Sequence, residues 1–180
     1  MALRAILPLN DPLLRRRAQP IDRFDSALRR LVGDLLETMH AADGAGLAGP
    51  QVGELRRVFV AEFEDEEFVL INPEIVQAAG REYGTEGCLS LPGYVGERIR
   101  RATRIVVTYR DLRGKVRRIV AEDWLARILQ HEIDHLDGIL FTDHLERPSD
   151  LRRVPQGKEA GEAGEPDEAE ERGRPRRRRR

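Results

Sequence analysis

The chain has 180 residues, of which 40% are hydrophobic and 35% charged, a balance typical of one globular domain with a substantial core. The formal net charge of -1 argues against a DNA-binding surface, and no apolar run approaches the roughly 18 residues of a membrane span. Cys88 is the only cysteine, which excludes an internal disulfide and favours a reducing compartment. The N-terminus lacks the features of a signal peptide, so we expect an unprocessed, cytoplasmic protein without a membrane or DNA partner.

The first predicted helix covers residues 26–41, because apolar residues from Leu28 to Met39 recur there at helical spacing. Asp25 is expected to be its N-cap and Gly44 its stop. A glycine-rich loop follows, and then short segments with strand character at residues 57–63, 68–71 and 75–77. Residues 104–110 and 116–121 flank a turn at 111–114 that ends in glycine, which predicts a β-hairpin.

A second helix is predicted from Asp123 to Leu136, closed by Gly138. Its apolar residues are spread around much of its circumference, which is typical of a helix surrounded by protein. Helices interrupted by several short strands favour an α+β fold over alternating βαβ units. We therefore expect short antiparallel sheets packed around a central buried helix that carries the sequence HEIDH.

The composition changes near Val154, which divides the chain into a domain of residues 1–154 and a tail of residues 155–180. The tail has no aromatic or branched aliphatic residue, so we expect it to be disordered. Its acidic stretch from Glu159 to Glu171 precedes an arginine-rich end that finishes in five arginines at residues 176–180. Such an end either solubilises the chain and screens the acidic stretch, or binds RNA phosphates.

The second helix carries His131 and His135 four residues apart, so both imidazoles point to the same side and can bind one divalent ion. Glu132 lies beside them and can reach a water molecule without being a ligand. This pattern alone is equally compatible with histidines that are solvated or hydrogen bonded in a core. A catalytic metal commonly has three protein ligands, and Cys88 in EGCLS offers a third, although a lone cysteine is more often a buried apolar residue.

The loop at residues 44–51 has two close glycines that let the backbone approach a ligand. The amide of Gln51 is suited to donate a hydrogen bond to a developing oxyanion. A loop that simply terminates the first helix explains the same residues. A nucleotide loop is excluded, because the Gly-Lys-Ser/Thr ending is missing.

The segments GAGLAGPQ, EGCLS and HEIDH, in this order, resemble the three signature segments of the peptide deformylases. The resemblance covers roughly residues 5–150, with one departure: Gly49 stands where the first segment usually has alanine. It implies a metal-dependent hydrolase that removes the N-formyl group from formylmethionyl nascent peptides and releases formate. A metalloprotease that cleaves internal peptide bonds is the alternative for the same helix motif.

The resemblance also implies a role for individual residues. The metal ligands are Cys88, His131 and His135, and Glu132 is the catalytic acid and base. Gln51 and the Leu89 N–H stabilise the oxyanion, and Gly46 binds substrate backbone. Glu86 pairs with an arginine that aligns with Arg100, although an ordinary surface charge explains Arg100 equally well. Arg127 and Ile128 are candidates for the methionine pocket, as is Trp124, for which packing in the core is an equally good explanation.

The donor set of one cysteine and two histidines suits Fe(II) or Zn(II). The resemblance favours Fe(II), with zinc, nickel or cobalt able to occupy the same site. Because deformylases act on chains that leave the ribosome, the arginine-rich tail is a candidate tether to ribosomal RNA.

Overall fold

The computed structural model describes residues 2–154, so the tail predicted at 155–180 lies outside the described residues. Two α-helices and eight strands form this part of the chain. In chain order they are α1 (Ser26–Ala41), β1 (Gly46–Ala48), β2 (Val58–Phe63), β3 (Glu66–Ala79), β4 (Glu82–Gly87), β5 (Tyr94–Arg101), β6 (Arg104–Arg110), β7 (Val116–Glu122), α2 (Asp123–Asp137) and β8 (Leu151–Arg153).

The strands form two antiparallel sheets, one with the order β1-β2-β3-β6-β7 and one with the order β4-β5-β8. The predicted hairpin is confirmed as β6 and β7, and its turn is closed by the Gly114 N–H, which donates to the Asp111 carbonyl at 2.8 Å. Gly114 has a φ of 77°, which explains the glycine at this position. The prediction of separate strands at 68–71 and 75–77 was wrong, because β-bulges carry β3 past Pro73 as one strand.

Helix α1 has the predicted bounds, and the Asp25 carboxylate caps it by accepting hydrogen bonds from the N–H groups of Ala27 and Leu28 at 3.0 and 3.1 Å. The helix packs on one face of the larger sheet, and α2 packs on the other. Side chains of β2 alternate between the two faces of the sheet. Val58 and Val60 pack against α1, whereas Phe59 and Ala61 pack against α2.

Helix α2 ends one residue later than predicted, at Asp137, and Gly138 follows it with a φ of 76°. Its other side faces the smaller sheet: Arg127 donates to the Ile99 carbonyl at 3.1 Å, and Arg101 is ion paired with Asp134. The helix therefore lies between the two sheets, and the α+β prediction is confirmed. Among residues 2–154, no helix is long and apolar enough to cross a membrane.

Four strands, β1, β4, β5 and β8, were not predicted from the sequence. Strand β4 (EYGTEG) has a single buried residue, Glu86, so it shows no apolar alternation. Strand β5 is interrupted by Arg98, whose φ of 58° accompanies a register shift that breaks the two-residue period. These segments form strands because they pack against neighbouring strands and α2. Their own composition does not indicate strand structure.

Candidate active site

Two histidines of α2 meet the cysteine that follows β4. The rings of His131 and His135 lie with centroids 5.0 Å apart, and Cys88 Sγ is 3.3 Å from His135 Nε2. One ligand atom from each of the three residues falls within 4.8 Å of the others. The structure thus brings together the three predicted ligands from two distant segments of the chain.

The chemistry of this cluster fits a divalent metal ion. A thiol and two imidazoles are the donors that zinc and iron sites use. Burial lowers the pKa of His135, which favours the neutral imidazole that a ligand needs. Burial also opposes the charged form of His131, but hydrogen bonds to Cys88 and Glu86 outweigh it and raise the pKa of that histidine. His131 uses Nδ1 to bond Glu86 at 2.9 Å, which leaves Nε2 free for the centre. Hydrogen bonding of a ligand histidine to a carboxylate is the usual support of a metal site.

Glu86 is the centre of a buried ion network. Arg101 donates to both of its carboxylate oxygens, at 2.7 and 2.9 Å, and Arg127 donates at 2.9 Å. Burial alone would raise the pKa of Glu86, but the hydrogen bonds from Arg101 and His131 outweigh it and hold the pKa well below the usual 4.5. An ionised Glu86 fixes the orientation of the His131 ring.

The predicted pairing of Glu86 with Arg100 was wrong, because the adjacent residue, Arg101, takes that place. Successive side chains of a strand point to opposite faces, and Ile99 and Arg101 of β5 point inward. Arg100 lies between them and is exposed. The bulge at Arg98 determines which residues of β5 point inward, and no sequence pattern indicates that bulge.

Glu132 lies beside the candidate ligands with a side chain that is only 3% exposed. Its Oε2 atom has no hydrogen-bond partner among the described residues. Burial raises the pKa of Glu132 to about 7, and the nearby carboxylates of Glu86 and Asp134 add to the rise. A carboxyl group with a pKa near neutrality can both accept and return a proton.

Gln51 is fully buried, and its amide orientation is fixed by its partners. Its Oε1 accepts from the Ala48 N–H at 2.8 Å, so Nε2 is the atom that faces the site. There Nε2 lies 3.2 Å from Ser90 Oγ and 3.5 Å from Cys88 Sγ. The donor is therefore already aimed at the cluster, and Ser90, which the sequence analysis did not single out, helps to hold it.

The glycine loop lies against both other segments of the site. A Cβ atom on Gly46 would lie 2.4 Å from Glu132 Oε1, and one on Gly44 would lie 2.6 Å from Leu89 Cδ1. Only glycine lets the backbone approach these side chains so closely. At Gly49, an added Cβ would lie 2.8 Å from the carbonyl oxygens of Glu54 and Arg56, so the missing methyl leaves no empty space.

A cavity of about 860 Å³ opens over this cluster and is lined by Gly46, Gln51, Cys88, Leu89, His131 and Glu132. Trp124, Arg127 and Ile128 of α2 also line it. Trp124 is 37% exposed, so it belongs to the cavity wall and not to the core. The Arg127 guanidinium is bonded to Glu86 and to the Ile99 carbonyl, which makes it a support of the ion network as well as a lining residue.

The chain matches the family model described as polypeptide deformylase over residues 3–150. The peptide deformylase of Thermomicrobium roseum is 47% identical over 168 residues, which are 88% of this chain and 95% of the relative. That of Heliobacterium modesticaldum is 49% identical over 146 residues, 81% of this chain and 96% of the relative.

Solved structures of peptide deformylases are also similar to this chain, in fold and in sequence. The peptide deformylase from Thermus thermophilus has a TM-score of 0.78 at 49% identity, covering 81% of this chain and 87% of that one. The enzyme from Synechococcus elongatus in complex with actinonin has a TM-score of 0.78 at 42% identity, covering 81% and 80%. The chain therefore belongs to the polypeptide deformylase family, metal-dependent hydrolases that remove the N-formyl group from nascent peptides.

Proposed function

We propose that Cys88, His131 and His135 hold one divalent metal ion, and that Glu132 is the acid and base of deformylation. The observation that carries this proposal is the convergence of three ligand atoms within 4.8 Å, beside a buried carboxyl group without a partner among the described residues. A divalent ion held there supplies Lewis acidity that lowers the pKa of a water molecule from about 15.7 toward about 7.

Glu132 accepts a proton from the attacking water, whose oxygen bonds to the formyl carbon. The same carboxyl group then delivers this proton to the amine nitrogen as the carbon–nitrogen bond breaks, which yields formate and a free N-terminus. A pKa near 7 suits both halves of the transfer, because neither protonation state is strongly disfavoured at neutral pH.

The remaining residues of the cavity bind and orient the substrate in this proposal. Gln51 Nε2 and the Leu89 N–H donate to the oxyanion, and such donors contribute about 3–4 kcal/mol each in comparable sites. Gly46 lets the substrate backbone approach Glu132. Ile128, with Arg127 behind it, forms the wall of the methionine pocket.

The test is formate release from a formyl-Met-Ala-Ala-Ala peptide, with protein purified anaerobically and its metal content measured. We expect release that scales with the metal content. A fully metal-loaded protein that releases no formate would overturn the proposal. The unformylated peptide is the control: its cleavage at internal bonds would favour the metalloprotease alternative, and its stability would exclude it.

We propose Fe(II) as the native ion, since a thiolate with two imidazoles suits it and the family resemblance favours it. The expected result is iron as the main metal of anaerobically purified protein, and inactivation by air with oxidation at Cys88. Zinc- or nickel-loaded protein is the control and should resist air. A predominance of zinc with full activity would contradict the assignment.

The natural substrates in this proposal are formylmethionyl chains on cytoplasmic ribosomes, with the tail from residue 155 as a tether to ribosomal RNA. The support is the arginine run at residues 176–180, since arginines bind phosphates in a salt-sensitive way. Co-sedimentation with ribosomes at low salt, with and without residues 156–180, tests the tether. Equal co-sedimentation of the full-length and the truncated protein would contradict the tether proposal.

A further inference from the structure

A second group of metal-binding side chains lies at the end of α1, outside the candidate catalytic centre. His40 Nε2 is 2.7 Å from Glu62 Oε2 and 3.5 Å from Glu67 Oε1. One ligand atom from each of these residues lies within 4.8 Å of the other two. We call the three residues the His40 cluster, and none of them belongs to the candidate catalytic centre.

The side-chain alternation of β2 explains why two glutamates lie at the end of α1. Val58 and Val60 of β2 pack against α1, and Glu62 is the next residue on the same face. The register pairs Glu62 directly with Glu67 of β3, and His40 reaches this pair from the last turn of α1. All three side chains project from a helix or a strand, and such elements hold a binding site more precisely than loops do.

The charges of the two glutamates are not balanced by the described side chains. Among residues 2–154, neither Glu62 nor Glu67 forms an ion pair with a lysine or an arginine, and His40 is the partner of both. One imidazole carries at most one positive charge, and its Nε2 has at most one proton to donate. Like charges that lie directly opposite each other destabilise a sheet, so a cation bound between the two carboxylates would relieve their repulsion.

An ion pair between His40 and Glu62 is the simpler explanation of the 2.7 Å contact. It does not explain Glu67, because that carboxylate directs an oxygen to the same nitrogen atom at 3.5 Å. A metal ion accounts for both contacts, since it takes one ligand atom from each of the three residues. The three side chains are 37% to 49% exposed, so an ion can enter from solvent and water can complete its coordination.

The donor set of the His40 cluster indicates the class of the ion. Zinc binds imidazole nitrogen and carboxylate oxygen, whereas calcium and magnesium prefer oxygen ligands alone. We propose that His40, Glu62 and Glu67 bind one zinc ion, separate from the ion of the proposed catalytic centre. Bound there, the ion ties the C-terminal end of α1 to β2 and β3 at the edge of the cavity, which His40 and Glu62 help to line.

The experiment measures zinc binding by the full-length protein after its catalytic centre has been filled with nickel. Equilibrium dialysis should give one bound zinc ion per chain, and the midpoint of thermal unfolding should rise with the zinc concentration. Excess calcium or magnesium should not displace the zinc, and displacement by either ion would contradict the assignment. The nickel content is measured alongside and reports on the proposed catalytic centre, so failure of one site is distinguishable from failure of the other.

Replacing His40 with glutamine should weaken zinc binding by at least about tenfold, because the loss of a group that only orients a ligand already costs about 10–100-fold. His40→Lys keeps a cation beside Glu62 and Glu67 but has no lone pair for a metal, so it should lose zinc binding and keep the stability of the zinc-free wild type. The variant Asp22→Asn/Glu74→Gln removes two exposed carboxylates outside the cluster and should bind zinc as the wild type does. The inference would be overturned by a wild type that binds no zinc, by His40 variants that bind it normally, or by an equal loss in Asp22→Asn/Glu74→Gln.

Discussion

Arg101 Nε and Nη2 donate to the two carboxylate oxygens of Glu86 at 2.7 and 2.9 Å, and both side chains are almost wholly buried. The same guanidinium pairs with Asp134 of α2, while Glu86 bonds His131. The smaller sheet is thereby tied to the helix that carries the two histidines. One buried ion pair thus supports both the packing of α2 and the orientation of a candidate ligand.

Replacing Arg101 with glutamine should lower the free energy of unfolding by about 3–5 kcal/mol, because it leaves the buried Glu86 charge without its main partner. The metal content per protein molecule should also be lower in this variant, because His131 loses its fixed orientation. Urea denaturation and metal analysis measure the two effects. Arg100→Gln is the matched control and should change stability by less than about 0.5 kcal/mol. Equal effects of the two variants would contradict the assignment.

Replacing Glu132 with glutamine should lower kcat by about 10²–10⁴-fold, because the amide keeps the shape but cannot carry the proton. Metal content should remain that of the wild type, since Glu132 is not one of the three ligands. Steady-state formate release and metal analysis separate these outcomes. Glu74→Gln, at an exposed position of β3, is the control. An active Glu132→Gln protein would remove this residue from the mechanism.

Replacing Gly49 with alanine, the residue usual in the family segment, should lower stability by about 1–3 kcal/mol. The added Cβ would lie 2.8 Å from the carbonyl oxygens of Glu54 and Arg56. This clash is with backbone atoms, so a change of side-chain rotamer cannot relieve it. Gly33→Ala, in the interior of α1, should instead raise stability by about 0.5–1 kcal/mol through helix propensity. Thermal unfolding of both variants tests the contrast, and a stabilised Gly49→Ala protein would refute it.

The Asp34 carboxylate of α1 is hydrogen bonded to the N-terminal segment. Its contribution to the free energy of unfolding should be lost at acidic pH. Hydrogen bonds from Arg4 and then from the Ala2 N–H lower the pKa of Asp34 below 3.8 in the folded state. The unfolded state therefore protonates first, so the contribution is complete above about pH 4 and is lost as the pH falls through the folded pKa.

The measurement is the difference in unfolding free energy between wild type and Asp34→Asn, from urea denaturation at a series of pH values. This difference should be constant near neutrality and shrink below about pH 4. Asp22→Asn, at an exposed residue outside these contacts, should give no such trend. A pH-independent difference for Asp34→Asn would show that the carboxylate charge is not what stabilises the fold.

The elements with strong local signals could be predicted from the sequence. Helix α1 has the predicted bounds, because its apolar period and its Asp25 cap act within one helix. The hairpin of β6 and β7 was predicted for the same reason, since Gly114 fixes the turn locally. Strands β4 and β5 were missed because their stability comes from cross-strand neighbours and from α2, and not from their own composition.

The sequence by itself determined which groups carry the chemistry: two histidines and a glutamate on one helix, a cysteine in EGCLS and a glutamine in a glycine loop. Chain order and helix periodicity are local properties, so these residues could be read directly. Only the tertiary structure decided that Arg101 and not Arg100 binds Glu86, and that residues 66–79 form one strand past Pro73. Both facts depend on strand phase and register, which bulges and long-range pairing set and which no short segment of sequence encodes.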